Sequence, residues 1–236
     1  MIANYVWGAF LVLAACNGGR AGGRSGGQVD TGSVSESDHS TTRPPARPDG
    51  RPAIVFLGTS LTAGDGLRDA ASQAYPALLQ AKLDSAARRF RVVNAGVSGE
   101  SSAGALGRVD WLLSHDSVAV LVVETGANDA LRGQDPDSVR SRIQAIFDRA
   151  RQAAIPPRLV VLGMEALPNL GREYGRRFRA IYPDAARANG AQLVPFLLEG
   201  VGGIDSLNQE DGIHPTAAGH RRLAENVWPV LERVTR

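Results

Sequence analysis

From residue 53 onward, short continuous apolar runs alternate with longer stretches in which apolar residues recur every three or four positions. Short apolar runs are typical of strands that are buried on both faces of a sheet. The recurring spacing is typical of helices that pack one face against a core. The predicted strands cover residues 53–57, 90–94, 118–123, 159–163 and 192–196, and the predicted helices cover residues 75–89, 102–114, 137–153, 173–189 and 217–234.

The order of these elements predicts the architecture. Each strand is followed by a helix, which makes successive strands parallel through right-handed crossovers. We therefore expect a three-layer α/β/α domain of flavodoxin-like type, with a five-stranded parallel sheet, over residues 51–236. We find no internal repeat and no pattern that predicts a second folded domain. In such open sheets, ligands bind outside the carboxyl ends of the strands, so chemistry is expected there.

The first fifty residues follow a different pattern. Residues 6–15 read VWGAFLVLAA, an apolar run that is shorter than the roughly 20 residues of a membrane-spanning helix and typical of the core of a secretory signal. The segment Leu13-Ala14-Ala15-Cys16 resembles a bacterial lipobox, in which the cysteine is lipidated and becomes the new N-terminus. We expect a signal peptide over residues 1–15 and a lipid anchor on Cys16. A plain signal peptide that happens to contain a cysteine is the alternative. No Lys or Arg precedes Cys16, whereas signal peptides usually carry a positive charge near their start.

Residues 16–50 are predicted to form the lipidated cysteine and a flexible tether. The segment after Cys16 is rich in glycine, serine and proline and contains no aromatic residue, so it buries too little apolar surface to offset its ordering entropy. We therefore expect a secreted lipoprotein of the bacterial cell envelope, at the outer membrane or at a membrane surface facing the periplasm. The lipid anchor makes that membrane a partner of the protein.

Composition narrows the class of protein further. Of the 236 residues, 43% are hydrophobic and 21% are charged, which excludes a wholly disordered chain and a multi-span membrane protein. The 26 Lys and Arg nearly balance the 24 Asp and Glu, so the net charge is +2 and no nucleic-acid partner is expected. The single cysteine excludes a disulfide framework within the chain and a Cys-rich metal site.

Polar residues with chemical potential follow the predicted strands. Ser60 follows the first strand, the glycine-containing loop 94–101 follows the second, and Asn128 follows the third. A hydroxyl at a tight turn can serve as a nucleophile, glycine N–H groups approach ligands closely, and an Asn amide can stabilise an oxyanion. Taken alone, Ser60 is more typical of a helix cap and the glycines are more typical of an ordinary loop, and a turn residue is the plain alternative for Asn128.

One of the four histidines has a carboxylate at a useful spacing. His214 follows Asp211 by three residues in a glycine-containing turn, so Asp211 can accept a hydrogen bond from Nδ1 and leave Nε2 free as a base. A surface turn that caps the last helix is the plain alternative. His39 lies in the tether, and we expect surface positions for His115 and His220, which lie in or beside helical patterns.

Taken together, these segments resemble the motif blocks of the SGNH hydrolase superfamily, also called GDSL esterases and lipases. The blocks read GTSLTAGDG at 58–66, NAGVSGES at 94–101, GAND at 126–129 and DGIHP at 211–215, in the family's order. The resemblance covers essentially all of residues 52–236. The phrases VVNAGVSGES, GANDALRG and EDGIHPTAAGH look most like bacterial arylesterases and multifunctional thioesterase/lysophospholipases.

The resemblance implies a catalytic triad. Ser60 matches the nucleophile, His214 matches the base and Asp211 matches the acid that orients it. The chain departs from the family pattern at Thr59, which stands where the Gly-Asp-Ser-Leu motif has aspartate. That aspartate is neither the nucleophile nor the base.

The resemblance also implies an oxyanion hole. The backbone N–H groups of Ser60 and Gly99 and the side-chain amide of Asn128 match its three donors, and Gly96 is the less favoured choice for the second. Because serine, base and donors complete the apparatus, no metal or organic cofactor is expected.

The expected function is hydrolysis of carboxylic esters with short-chain acyl, aryl or lysophospholipid groups, and of thioesters. A carbohydrate O-deacetylase of the same superfamily and a non-catalytic surface lipoprotein that binds a ligand are the alternatives. A nucleotide-binding module is disfavoured, because residues 58–62 are glycine-poor and Lys82, the only lysine, lies in a predicted helix.

Two segments are expected to line the substrate, residues 130–136 and 163–175. They contain apolar residues suited to an acyl or aryl group, although packing explains them equally well: Leu131, Leu167 and Leu170. Glu165 and Arg172 are candidates for orienting a polar head group.

Overall fold

The computed structural model of the protein describes residues 50–115 and 117–236. The predicted signal peptide, Cys16 with its lipid anchor and all of the tether but its last residue therefore lie outside the described residues. Among the helices of the described part, none is long and apolar enough to cross a lipid bilayer.

A parallel sheet forms the middle layer of the fold. Its strands are β1 (Ala53–Gly58), β2 (Arg91–Gly96), β3 (Val118–Val123), β4 (Arg158–Leu162) and β5 (Gln192–Val194). The strand order is β2-β1-β3-β4-β5, and each neighbouring pair is parallel. This flavodoxin-like order confirms the predicted fold class, and it reverses between β1 and β3, where such sheets open a crevice for ligands.

Helices form the two outer layers. They are α1 (Ser60–Ala63), α2 (Ala70–Gln73), α3 (Tyr75–Ser85), α4 (Ser102–His115), α5 (Ala127–Leu131), α6 (Pro136–Gln152), α7 (Arg172–Asn189) and α8 (Ala217–Val234). On one side of the sheet α3 packs against α8, and on the other side α6 packs against both α4 and α7. Short 3₁₀ turns at Pro168–Leu170 and Asp205–Leu207 lie in the last two long loops.

The core lies on both faces of the central strands. Every residue of β1 is buried, because helical layers cover the sheet on both sides and leave no polar face. On α6, four residues at helical spacing are fully buried: Val139, Ile143, Ile146 and Phe147. Each such side chain stabilises the fold by about 1.5–3 kcal/mol relative to an exposed position.

Predicted and observed boundaries agree for β3 and α8 and differ at several other ends. The helix predicted over residues 75–89 stops at Ser85. Ala87 adopts a left-handed φ of 54°, and the Arg88 N–H donates to the Leu83 carbonyl at 2.8 Å, which ends the helix and leads the chain into β2. The short helices α1, α2 and α5 were not predicted, because they are too short to show a helical period.

Candidate active site

Ser60 lies where β1 turns directly into α1. Ser60 is only 9% exposed. Its backbone carbonyl accepts hydrogen bonds from the N–H groups of Gly64 and Asp65 at 2.9 and 3.0 Å. The turn depends on Gly58, because a Cβ there would lie 2.0 Å from the Thr62 hydroxyl. The chain therefore presents the Ser60 hydroxyl at the carboxyl edge of the sheet, where ligands bind in open sheets of this kind.

A buried carboxylate holds this turn from the neighbouring strand. Glu124, which follows β3 and is 1% exposed, accepts hydrogen bonds from the Thr59 N–H at 2.8 Å, the Thr59 hydroxyl at 3.0 Å and the Thr62 hydroxyl at 2.9 Å. The Thr62 hydroxyl also lies 2.7 Å from the Tyr75 hydroxyl. Burial raises the pKa of Glu124, and these hydrogen bonds oppose that shift.

The loop before α8 carries an imidazole and a carboxylate. His214 Nδ1 lies 2.6 Å from Asp211 Oδ2, and Asp211 Oδ1 accepts the backbone N–H groups of Ile213 and His214 at 2.9 and 3.0 Å. A hydrogen bond from the Gln209 N–H to the His214 carbonyl closes the loop at 2.7 Å. The spacing of three residues thus places both side chains on the same side of one tight loop.

The Asp211 carboxylate is held in its ionised form. Partial burial acts to raise the pKa of Asp211, but hydrogen bonds from the His214 ring and from the backbone N–H groups of His214 and Ile213 outweigh it. The pKa of Asp211 is therefore below its ordinary value. An ionised Asp211 fixes the proton of His214 on Nδ1 and leaves Nε2 as the unprotonated ring nitrogen.

The second ring nitrogen reaches across the fold to the first strand. His214 Nε2 lies 3.0 Å from Ser60 Oγ, although 154 positions separate the two residues. The structure thus brings Ser60, His214 and Asp211 into one continuous hydrogen-bonded row. All three were candidates from the sequence.

The loops after β2 and β3 meet each other at the carboxyl edge of the sheet. The Asn128 side-chain amide donates to the Glu100 carbonyl at 3.1 Å, which leaves its second N–H free to donate. Gly99 has a left-handed φ of 74°, and its N–H has no hydrogen-bond partner among the described residues. The Gly96 N–H already donates to Asn94 Oδ1 at 3.0 Å, which supports the preference for Gly99.

The prediction for one histidine was wrong. His220 is 1% exposed rather than a surface residue, because the face of α8 that carries it packs against α3. Its Nδ1 accepts the Tyr75 N–H at 3.2 Å, and its ring stacks on the Tyr75 ring. Burial, assisted by the charge of His214, lowers the pKa of His220 to about 4. His115 ends α4, and its side chain lies outside what the structure describes.

The expected substrate-lining residues divide into two groups. Leu131 is 47% exposed at the end of α5, whereas Leu167 and Leu170 are half-buried. Glu165 forms an ion pair with Arg179 at 2.8 Å.

Among the described residues, no group of three or more His, Cys, Asp or Glu side chains is placed to hold a metal ion.

The residues that support the site were not predicted from the sequence. The sequence does show Glu124 as a carboxylate at the end of an apolar strand. Because a buried carboxylate is unfavourable unless hydrogen bonds compensate it, this position could have been recognised as one that holds other residues.

At the carboxyl edge of this sheet, hydrogen bonds join a serine hydroxyl to an imidazole and the imidazole to a carboxylate. Serine hydrolases use this arrangement. Residues 56–222 match the GDSL-like Lipase/Acylhydrolase family. The chain belongs to this family.

Its relatives are hydrolases. The chain is 41% identical over 179 residues to "Esterase TesA" of Pseudomonas aeruginosa, covering 76% of this chain and 87% of that protein. It is 38% identical over 172 residues to "Thioesterase 1/protease 1/lysophospholipase L1" of Escherichia coli, covering 73% and 79%. A solved crystal structure of TesA superposes with a TM-score of 0.73 at 40% identity, covering 77% of this chain and 99% of that one. These findings confirm the predictions of family and of a carboxylic-ester hydrolase.

Proposed function

We propose that the protein is a serine esterase with Ser60, His214 and Asp211 as its catalytic triad. The observation that carries the proposal is the 3.0 Å distance between His214 Nε2 and Ser60 Oγ. At this distance the imidazole takes the hydroxyl proton as Oγ attacks the ester carbonyl. Asp211 keeps the imidazole in the required tautomer and stabilises the imidazolium that forms.

The proposed oxyanion hole consists of the N–H groups of Ser60 and Gly99 and the amide of Asn128. The Ser60 N–H lies in the first turn of α1, where backbone donors have no partner within a helix. The hydrogen bond from Asn128 to the Glu100 carbonyl orients the remaining amide N–H. Fixed donors of this kind stabilise the charge that develops on the tetrahedral intermediate.

The reaction proceeds in two steps. The bond from Ser60 Oγ to the acyl carbon forms, the bond from that carbon to the leaving alkoxy oxygen breaks, and His214 passes its proton to that oxygen. Water then gives a proton to His214, attacks the acyl carbon and releases the acid, and the proton returns to Ser60. The chain's own side chains and backbone donors serve both steps.

The proposed substrates are esters with short-chain acyl, aryl or lysophospholipid groups, and thioesters. The names of the relatives support this range, since one is an esterase and the other a thioesterase and lysophospholipase. Three exposed apolar side chains suit an apolar substrate. Val97 follows β2, Leu131 lies in α5 after β3, and Ile213 directly precedes His214.

A substrate panel tests the proposal. Aryl butyrate, an acyl thioester, a lysophospholipid and acetylated xylan are compared with wild-type protein and the Ser60→Ala variant. We expect hydrolysis of the first three classes by the wild type and its loss in the variant. A preference for acetylated xylan, or hydrolysis that persists in the variant, would contradict the proposal.

We also propose that residues 1–15 are a signal peptide, that Cys16 carries a lipid and that residues 16–50 tether domain 51–236 to the cell envelope. The lipobox-like segment and the composition of the tether support this. Expression of the full chain in a bacterium with labelled palmitate should yield a labelled protein in the membrane fraction. Equal labelling of a Cys16→Ser variant, or an unlabelled wild type, would contradict it.

A further inference from the structure

One guanidinium group on α4 connects the ends of two strands with the loop that precedes the helix. Arg108 Nε and Nη2 each lie 2.7 Å from a different oxygen of the Glu100 carboxylate. Arg108 Nη2 also lies 2.7 Å from the Ala95 carbonyl and 3.2 Å from the Gly58 carbonyl. The planar fork of an arginine provides several donors in fixed directions, which a lysine does not.

Two of the three residues that Arg108 contacts, Gly58 and Glu100, lie close to proposed oxyanion donors. Gly58 is two residues before Ser60, and Glu100 directly follows Gly99. The carbonyl of Glu100 accepts the Asn128 amide at 3.1 Å. A displacement of the Arg108 guanidinium would therefore be transmitted to all three donors.

The pair is built into the fold and shielded from water. A Cβ on Gly104 would lie 2.7 Å from Glu100 Cγ, so the glycine makes room for the Glu100 side chain to lie along α4 and reach Arg108. The side chains of Arg108 and Glu100 are 22% and 9% exposed. Water and salt therefore weaken this pair much less than an exposed ion pair.

We propose that Arg108, through Glu100, is a positioning residue that sets the geometry of the oxyanion hole. This inference rests on the proposed function, because it assigns Arg108 to the same site. Arg108 touches backbone carbonyls and the Glu100 carboxylate rather than the reacting atoms. Its loss should weaken stabilisation of the tetrahedral intermediate and leave binding of the substrate and the action of His214 intact.

The test compares Arg108→Met, Arg108→Lys and Glu100→Gln with a matched control. The control is Arg151→Met, which breaks a surface pair with Asp148 at the end of α6 whose side chains are 44% and 45% exposed. For each variant, kcat and KM are measured on aryl butyrate per active site titrated with a fluorophosphonate. The affinity for an alkyl boronic acid, which forms a tetrahedral adduct with the serine, is measured alongside, as is the pH profile of kcat/KM.

We expect Arg108→Met to lower kcat by about 10- to 100-fold, since small misplacements of catalytic groups have effects of this size. KM should change less than about twofold, which is the pattern of an interaction made only in the transition state. The boronic acid should bind more weakly by a factor similar to the loss of kcat, and the pH profile should keep its midpoint. Arg108→Lys should recover part of the loss, and Arg151→Met should match the wild type.

Wild-type kcat per titrated site in Arg108→Met would overturn the inference, even if the variant were less stable, because a purely structural role lowers only the number of active sites. Should Arg108→Met fail to fold, Glu100→Gln decides the matter, with an expected fall in kcat of about 3- to 10-fold and the same boronate pattern. Failure of the proposed function has a different signature, namely a wild type whose ester hydrolysis does not require Ser60.

Discussion

Glu124 at the end of β3 accepts hydrogen bonds from both the N–H and the hydroxyl of Thr59, the residue directly before Ser60. Thr59 stands where the family motif has aspartate. In this chain a buried carboxylate from the neighbouring strand holds the turn at Ser60, and the Thr59 hydroxyl donates to it.

Removal of that carboxylate should loosen the turn. Glu124→Ala leaves the donors of Thr59 and Thr62 buried without their acceptor, and an unsatisfied buried donor costs about 1–3 kcal/mol. We expect urea unfolding to show a loss of about 2–5 kcal/mol and aryl-ester turnover to fall with it. A Glu124→Ala variant as stable and active as the wild type would show that the contact is unimportant.

The neutral variant Glu124→Gln separates the hydrogen bonds from the charge. Its amide oxygen can still accept from Thr59, so we expect near wild-type stability at acidic pH, where the Glu124 carboxyl is protonated. Because burial raises the pKa of Glu124, the folded wild type loses stability as the pH rises from the ordinary carboxyl value through that raised pKa. Unfolding free energies measured against pH should lack this decline in Glu124→Gln.

Acid should destabilise the fold through His220. Burial lowers the pKa of His220 from 6.5 to about 4. Below pH 6.5 the unfolded chain therefore binds a proton at this residue that the folded chain binds only at lower pH. Stability falls across this pH window by up to about 3 kcal/mol, because each tenfold loss of proton affinity corresponds to about 1.4 kcal/mol. His220→Gln, which keeps an acceptor for the Tyr75 N–H, should lose this part of the pH dependence in urea unfolding. An unchanged slope would contradict the assignment.

The amide of Asn128 should contribute mainly to turnover. Loss of one oxyanion donor costs about 3–4 kcal/mol, so Asn128→Ala should lower kcat by about 100- to 1,000-fold with little change in KM. Steady-state kinetics on a short-chain aryl ester provide the measurement. Wild-type turnover in this variant would remove Asn128 from the oxyanion hole.

Leu131 should favour longer acyl groups. It lies three residues after Asn128 and is 47% exposed, so it offers apolar surface at the carboxyl edge of the sheet. We expect Leu131→Ser to lower kcat/KM for aryl octanoate by about three- to tenfold and to leave aryl acetate nearly unchanged. Ile155→Ser is the control, because Ile155 is 74% exposed beyond the far end of α6. Equal losses on both esters would contradict this role.

The parts of the fold that periodicity encodes were predictable from the sequence. The bounds of β3 and α8 are those expected from an uninterrupted apolar run and a regular apolar spacing. The residues Ser60, Asn128, Asp211 and His214 were candidates because each follows a strand or lies in the loop before the last helix. Their order along the chain, rather than any single residue, carried the resemblance.

The supporting contacts could not be predicted, since they join residues that are distant in sequence. His220 is buried by Tyr75, which lies 145 positions away, and no local pattern distinguishes it from a surface histidine. Arg108 and Glu124 likewise act on loops outside their own elements. Burial of a single polar residue depends on which helices pack together, and that follows from the whole fold.

Covalent labelling with a fluorophosphonate tests the assignment of Ser60 as the nucleophile most directly. We expect one adduct per chain, located by mass spectrometry on the peptide that contains Ser60, absent in Ser60→Ala and greatly slowed in His214→Ala. An adduct on another residue, or ester hydrolysis at the wild-type rate by unlabelled Ser60→Ala protein, would contradict it.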